Sequence, residues 1–319
     1  MRQQTFGTPA QIQKRASPIT TQSNTSLKFY PLQTQKKTPE GIMDEVESIH
    51  GKKNFYALYS GGKDSSLVLN WLIEHDKLKA VVHVDTGVEM KLTRDFIKDT
   101  CKSYGIDLII LYPRPRHRYV NMVLEHGFPG PGAHRIAMGF LKFHPIREFF
   151  LKLKDNSACL VSGVREAESK RRKKNFISPI ESEGKMWFVN PFFYYSNEMM
   201  YKERLEKNIP ISPAYTAGMN ISGDCLCGAY ATYGEKDRLR TADPHLADYI
   251  AWLEMGVQKF GTSLAKKSPK WAGTSSMADL EQQTKLDIMV KSEGFSEGME
   301  NQFCGSDCGP GTMKGETDF

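Results

Sequence analysis

The chain has 319 residues, 39% of them hydrophobic, and its 43 Lys and Arg against 37 Asp and Glu give a formal charge of +6. This length suits one large domain or two modest ones, and the composition is ordinary for a globular fold. No apolar run approaches the roughly 20 residues of a membrane-spanning helix, and residues 1–15 lack the apolar core of a secretory signal. We therefore expect a cytoplasmic protein without a membrane partner, and its modest positive charge allows a nucleotide or nucleic-acid partner.

Segments with strand and helix character alternate along most of the chain. Residues 1–42 come first and are rich in Gln, Thr, Ser, Pro and Lys, which predicts a flexible basic tail. Strands that alternate with helices need crossover connections, so residues 43–217 are expected to form an α/β domain with a parallel sheet flanked by helices. The sequence pattern predicts strands at 54–59, 79–85, 107–113, 159–164 and 186–193, and helices at 65–76, 92–105, 138–154 and 197–208.

The composition changes after residue 217, where glycines and cysteines become frequent. A helix is predicted at 244–260, and a glycine-rich segment follows it. Residues 218–319 are therefore expected to form a helical and cysteine-rich extension of the sheet domain.

The stretch "YSGGKDSS" at 59–66 lies between an apolar strand pattern and an apolar helix pattern. A strand that enters a helix through a glycine-rich turn presents free backbone amides at the positive end of the helix dipole, which is a site for phosphate. The spacing differs from that of a Walker A loop. The alternative is an ordinary strand-to-helix turn with a polar cap. The predicted phosphate loop consists of Ser60, Gly61, Gly62, Lys63, Asp64 and Ser65.

Two further polar motifs follow predicted strands, "VDTGVE" at 84–89 and "SGVREAESKRR" at 162–172. Together with "SGGKDS" at 60–65, they resemble the phosphoadenosine phosphosulfate (PAPS) reductase family of the PP-loop ATP pyrophosphatase superfamily, over residues 54–216. The resemblance implies an adenine nucleotide α-hydrolase-like fold, a nucleotide substrate, and ATP with Mg²⁺ as ligands.

All three motifs fall beyond the carboxyl ends of predicted strands, where open α/β sheets bind their ligands. Asp85 and Thr86 are predicted to meet the nucleotide or hold Mg²⁺, the alternative being a helix cap or turn. Arg165 suits bidentate phosphate binding, whereas the basic run after it is either part of the anion site or a solvated surface. Glu168 is predicted to orient a neighbouring arginine or to be a surface carboxylate. The nucleotide-binding set also includes Gly163, Arg171 and Arg172, and the candidate catalytic residues are Lys63, Asp64, Asp85 and Arg165.

The chain departs from PAPS reductases proper in carrying the full "SGGKDS" loop and no "ECGLH"-like sequence, and Ala137 stands at about the position where relatives carry a cysteine. These departures favour ATP use, in which an acceptor attacks the α-phosphate, pyrophosphate leaves, and sulfur transfer follows. Two alternatives remain open: reduction of a sulfonucleotide by a late cysteine, and a nucleotide-binding accessory subunit with a structural metal site. The acceptor is not specified, and a nucleic acid or a sulfur-donor protein is a candidate partner.

Four of the six cysteines lie in two glycine-containing turns, Cys225 and Cys227 in "GDCLCGAY" and Cys304 and Cys308 in "FCGSDCGPG". Without a secretory signal, metal or thiol chemistry is favoured over disulfides. Thiolate pairs suit Zn²⁺ or an iron–sulfur cluster, and the resemblance favours a [4Fe–4S] cluster. Zinc, a redox-active thiol pair and inert cysteines remain open, because neither spacing is the common zinc spacing. The cysteines at 101 and 159 are expected to be small core residues.

Overall fold

The computed structural model describes residues 28–30, 38–168, 178–232 and 234–272. Its strands form one seven-stranded sheet in the order β1-β6-β7-β5-β2-β3-β4. The strands are β1 (Lys28–Tyr30), β2 (Asn54–Leu58), β3 (Leu78–Val84), β4 (Leu108–Leu111), β5 (Ala158–Val161), β6 (Ile180–Glu183) and β7 (Met186–Val189).

Five neighbouring strands, β7, β5, β2, β3 and β4, run parallel, while β6 and β1 pair antiparallel at one side. The α-helices of the described residues are α1 (Pro39–Ser48), α2 (Lys63–Glu74), α3 (Lys91–Ser103), α4 (Tyr119–His126), α5 (His134–Met138), α6 (His144–Leu153), α7 (Asn197–Glu206), α8 (Glu235–Ala242) and α9 (Pro244–Phe260). The predicted adenine nucleotide α-hydrolase-like class, a parallel sheet flanked by helices, is thereby confirmed.

Helices cover both faces of the sheet. Successive residues of a strand point to opposite sides, so each strand packs against helices on both faces. In β2, Phe55 packs in a cluster with Trp71 of α2 and Ile97 of α3, whereas Tyr56 packs in a cluster with Phe150 of α6. Burial on both faces is typical of parallel strands and explains their nearly continuous apolar sequences.

A third apolar cluster lies beside the sheet and joins the segment after residue 217 to the rest of the fold. It contains Val88 and Met90 from the loop between β3 and α3, together with α4, Cys225, Cys227 and Leu253 of α9. Within the described residues, the predicted extension therefore shares a core with the sheet domain across the predicted boundary at 217.

Several details differ from the sequence-based expectation. The predicted tail boundary at residue 42 falls inside α1, which Thr38 caps by accepting a hydrogen bond from the amide of Gly41 at 3.2 Å, and β1 lies within the predicted tail. The single helix expected at 138–154 is divided by a π-helical turn at Gly139–Phe143. Pro145, just after that turn, has no amide to donate and so cannot continue a regular ladder.

Candidate functional site

The three polar motifs meet at one edge of the sheet. Strands β5, β2 and β3 are parallel neighbours, so their carboxyl ends lie side by side. "SGGKDS" follows β2, "VDTGVE" begins at the last residue of β3, and "SGVRE" follows β5. This arrangement is the crevice in which open α/β sheets bind ligands.

The phosphate loop leaves open amides at the start of α2. Gly62 caps the helix without a side-chain hydrogen bond. The amides of Lys63, Asp64 and Ser65, which precede the first intrahelical bonds, donate to no acceptor among the described residues. Gly61 has φ of +72°, a left-handed conformation that suits glycine, and a Cβ there would lie 3.3 Å from Phe96. The loop therefore presents a backbone cradle for an anion at the positive end of a helix dipole.

The two loop serines brace this cradle. The Ser60 and Ser65 hydroxyls are 3.0 Å apart, and Ser65 donates to the Gly62 carbonyl at 3.1 Å. The Gly62 amide donates to the Ser60 hydroxyl at 3.3 Å. These local bonds fix the turn through side chains that are only half-buried.

Lys63 is exposed and its ammonium lies 4.4 Å from the ring centroid of Tyr215, in cation–π contact. Tyr215 ends the 3₁₀ turn Pro213–Tyr215. The residue before this turn, Ser212, donates its amide to the Gly61 carbonyl at 3.0 Å. Sequence analysis did not identify Tyr215 or Ser212, because they lie about 150 residues beyond the loop that they contact and belong to no motif.

Asp64 and Arg165 form a buried ion pair across the crevice. Nε and Nη2 of Arg165 donate to Oδ2 of Asp64 at 3.2 and 2.9 Å. Nη1 donates to the Tyr195 carbonyl at 3.1 Å and to Oδ1 of Asn197 at 3.0 Å. The guanidinium thus joins the phosphate loop to the segment before α7 and to α7 itself. Its predicted binding of an anion stays a prediction, and Glu168 accepts from the Arg165 backbone amide at 3.1 Å rather than from its guanidinium.

Gly163 lets the end of β5 approach the phosphate loop closely. A Cβ at Gly163 would lie 2.9 Å from the backbone carbon of Asp64 and 3.0 Å from its Cβ. Real Cβ atoms do not approach backbone so closely, so any larger residue here must displace either the strand or the helix start. The glycine therefore sets the distance between β5 and α2.

Asp85 and Thr86 are buried at the end of β3. Oδ1 of Asp85 accepts from the Gly87 amide at 2.8 Å, and Oδ2 accepts no hydrogen bond from the described residues. Behind them, the fully buried Glu89 contacts Nε2 of His83 at 2.7 Å, and Nδ1 of His83 lies 2.9 Å from the Tyr59 carbonyl. The His83–Glu89 pair links Tyr59, which directly precedes the phosphate loop, to the "VDTGVE" loop. The histidine was not predicted.

The turn that carries Cys225 and Cys227 packs directly behind "VDTGVE". The Leu226 amide donates to the Val88 carbonyl at 3.2 Å, and the Met90 amide donates to the Gly223 carbonyl at 3.2 Å. The hydroxyl of Tyr119 donates to the Cys227 carbonyl at 2.9 Å. The cysteine turn is thus part of the same assembly as the candidate nucleotide site.

The two thiols share a hydrogen bond and lie near a buried cation. The hydrogen bond with Cys227 lowers the pKa of Cys225 to about 6 against the opposing effect of burial, and the Lys142 ammonium adds to the lowering. The same hydrogen bond and burial raise the pKa of Cys227 well above its ordinary value. Lys142 itself is held by Asp224 at 2.7 Å. Cys225 is therefore the thiol of the pair that ionises first.

Four predicted site residues lie outside the described residues, namely Arg171, Arg172, Cys304 and Cys308. The described part of the chain contains no group of three or more His, Cys, Asp or Glu side chains arranged to hold a metal. Cys225 and Cys227 provide two adjacent sulfur donors in an apolar setting, which fits half of a four-thiolate set.

None of the described helices combines the length and apolar character needed to cross a membrane.

Residues 54–230 match the family described as phosphoadenosine phosphosulfate reductase domain. This match covers more than half of the chain, so the chain belongs to that family. The family assignment agrees with the three motifs at the carboxyl edge of the sheet and confirms the resemblance found in the sequence.

Two curated proteins of Methanocaldococcus jannaschii are similar in sequence. The uncharacterized protein MJ0973 is 30% identical over 228 residues, which cover 66% of this chain and 50% of that protein. The uncharacterized protein MJ0066 is 27% identical over 219 residues, which cover 65% of this chain and 45% of that protein. The chain thus spans about half the length of the curated relatives it matches.

Three solved structures are also similar. PAPS reductase from Candida auris, in a phosphate complex, aligns with a TM-score of 0.45 and 14% identity over 59% of this chain and 88% of that chain. FMN adenylyltransferase of Candida glabrata in complex with ATP aligns with a TM-score of 0.41 and 16% sequence identity, over 83% of this chain and 84% of that chain. The NH3-dependent NAD synthetase of Campylobacter jejuni aligns with a TM-score of 0.40 and 14% sequence identity, over 69% of this chain and 90% of that chain.

Proposed function

We propose that the chain binds ATP with Mg²⁺ at the phosphate loop and transfers the adenylyl group to an acceptor with release of pyrophosphate. One observation carries this proposal: the open amides of Lys63, Asp64 and Ser65 stand at the start of α2 beside a left-handed Gly61, in a member of the PAPS reductase domain family. An exposed lysine next to open amides supplies both charge and hydrogen bonds for phosphates.

In the proposed reaction, an acceptor nucleophile attacks the α-phosphorus, and the bond to the bridging oxygen of the β-phosphate breaks. The electron pair of that bond leaves with pyrophosphate. The loop amides and Lys63 bind the phosphates, and Asp85, with one carboxylate oxygen not engaged by the described residues, would hold Mg²⁺. Arg165 acts through Asp64 as a positioning residue, because its guanidinium donates to protein acceptors.

We further propose that sulfide-level sulfur from a sulfur-donor protein then attacks the adenylylated atom of the acceptor, and that the bond to the AMP oxygen breaks so that AMP leaves with the electron pair. Cys225, Cys227, Cys304 and Cys308 would hold the predicted iron–sulfur cluster, and the described pair supplies the sulfur donors and apolar surroundings that such a group requires. A bound cluster would bind sulfur or carry electrons next to the "VDTGVE" loop.

The test is pyrophosphate release from ATP and Mg²⁺, with RNA, DNA and sulfate each supplied as acceptor. Asp85→Asn should reduce release strongly while thermal stability stays near that of the wild type. Asp76→Asn is the matched control, because Asp76 is exposed in the turn before β3, at the opposite edge of the sheet. Absence of release with all three acceptors, or equal release by wild type and Asp85→Asn, would contradict the proposal.

Reduction of a sulfonucleotide is the second candidate, and the lowered pKa of Cys225 supports it. The Cys225 thiolate would attack the sulfonyl sulfur, and the nucleotide phosphate would leave. Attack by the Cys227 sulfur on Cys225, with loss of its proton, would then release sulfite and oxidise the two thiols to a disulfide. Sulfite release from PAPS, without pyrophosphate release from ATP, would favour this reaction. Tight ATP binding with neither product would favour an accessory nucleotide-binding subunit.

A further inference from the structure

The outward face of α9 carries large apolar side chains that the described fold leaves exposed. Trp252 is 49% exposed and Met255 is 62% exposed, and with Lys259 they form one stripe along the helix. Phe260, at the end of the helix, is 73% exposed. The opposite stripe of α9 is buried in the third apolar cluster. Such a concentration of exposed apolar surface is typical of a contact surface.

The turn after α9 is rich in cations. Residues 259–272 contain Lys259, Lys266, Lys267 and Lys270 and no Asp or Glu. Lys266 and Lys267 are exposed and make no ion pair with the described residues, whereas Lys270 lies 3.8 Å from Glu254. We call Trp252, Met255, Phe260 and these four lysines the α9 face.

The chain continues from the α9 face into a segment of opposite charge. The Trp271 amide donates to Oε1 of Glu254 at 3.0 Å, so the last described residues are held beside α9. Residues 273–319 lie outside the described residues, and the sequence from 273 to 303 contains six Asp or Glu and two Lys. The part up to residue 303 also contains large apolar residues, among them Leu280, Leu286, Met289 and Phe295.

We propose that the acidic segment 273–303 binds the α9 face of its own chain. Its apolar side chains would cover Trp252 and Met255, and its carboxylates would pair with the four lysines. Charge complementarity and direct covalent continuity favour this occupant. A tethered segment has an effective concentration that can reach the millimolar range, which a free partner seldom matches.

Zero-length carbodiimide cross-linking of the full chain tests the proposal, because it joins only amines and carboxylates in direct contact. Ordinary and ¹⁵N-labelled protein are mixed in equal amounts so that links within a chain are distinguished from links between chains. We expect links within single chains from the lysines of the α9 face to acids between 273 and 303. Lys202 and Glu206, 3.8 Å apart on α7, provide an internal positive control.

The double variant Trp252→Ser/Met255→Ser keeps every lysine and should lower these links roughly tenfold, because it removes the apolar part of the contact. Tyr201→Ser, which removes a 59% exposed side chain from α7, should leave them unchanged. Absence of the links while Lys202 and Glu206 still react would overturn the proposal. So would links only between light and heavy chains, which would assign the face to a second copy.

A fluorescent single-stranded RNA provides the last test. If segment links are absent and the wild type binds this RNA, while Lys266→Glu/Lys267→Glu does not, the α9 face is a nucleic-acid surface and the proposal is wrong.

Discussion

Lys63 illustrates how one side chain is prepared for a ligand. Its ammonium lies over the ring of Tyr215 at 4.4 Å, a contact worth about 0.5–1 kcal/mol at an exposed site. A hydrogen bond to a charged partner contributes about 1.5–3 kcal/mol. Phosphate is therefore the stronger partner, and Lys63 can leave the ring for it at small cost.

Replacing Lys63 by Ala should weaken ATP binding by about 1.5–3 kcal/mol, since one charged hydrogen bond is lost. Isothermal titration calorimetry measures this difference directly. Lys79→Ala is the matched control, because Lys79 is an exposed lysine near the amino end of β3. Equal ATP affinity in wild type and Lys63→Ala would show that phosphate binds elsewhere.

Cys225 should make stability depend on pH. Because its folded-state pKa is lowered to about 6, its thiolate contributes stability that is fully present above the pKa of an unfolded thiol, about 8.5. That contribution is lost as pH falls through about 6. Cys227 stays protonated through this window, since its pKa is raised.

We therefore expect the free energy of unfolding of wild type, measured with urea in chelator-treated protein, to approach that of Cys225→Ser as pH falls from about 8.5 to about 6. Cys159→Ser is the control, because burial raises the pKa of that thiol and it stays neutral over the window. A wild-type advantage that is constant between these pH values would contradict the lowered pKa.

At the scale of elements, the close approach of β5 to α2 depends on Gly163. Gly163→Ala inserts a Cβ 2.9 Å from the Asp64 backbone, so the start of α2 must shift and its amides lose their alignment. We expect weaker ATP binding together with lower thermal stability. Gly256→Ala provides the control: a Cβ there meets its nearest atom, of Leu124, at an ordinary 3.6 Å, and Ala favours the α9 helix by about 0.5–1 kcal/mol. Unchanged ATP affinity in Gly163→Ala would show that this spacing does not matter.

Elements with complete local signals were predicted well. The predicted helix at 244–260 has the bounds of α9, because Asp243 caps it, Pro244 opens it and Gly261 follows it. The β6–β7 hairpin was missed in part, although Gly184 in "SEGKM" has φ of +58° and marks its turn. β6 has the sequence IESE, and its two glutamates break the apolar pattern by which a buried strand is recognised. Glu181 is nevertheless buried, which raises its pKa to about 9.

At the scale of the whole molecule, the predicted four-cysteine site is tested by metal content. Anaerobically purified protein should contain iron and sulfide, and Cys225→Ser and Cys304→Ser should each remove them, because both pairs are needed. Cys101→Ser should keep the metal, since that thiol lies on α3 and is buried in the core against α2. Zinc in colourless protein would indicate a structural site, and no metal would leave a redox or inert thiol pair.

The sequence predicted the edge at which the candidate site lies, because its motifs are local and each follows a strand. It did not predict contacts between distant segments. The contacts of Tyr215 with Lys63 and of Lys142 with Cys225 each depend on how the chain returns to the sheet, and neither Tyr215 nor Lys142 stands in a recognisable pattern with its partner.

The return of residues 212–226 to the sheet has a kinetic consequence. This segment donates to the Gly61 carbonyl and the Val88 carbonyl, so backbone hydrogen bonds tie both the phosphate loop and the "VDTGVE" loop to the segment that ends in the cysteine turn. Amides that open together exchange with solvent deuterium at the same free energy. The Ser212 and Leu226 amides should therefore exchange as one cooperative unit, and nucleotide should slow exchange at Leu226 although Leu226 does not touch it. Binding of a nucleotide to the phosphate loop would in that way reduce local opening around Cys225 and Cys227, although the nucleotide contacts neither thiol.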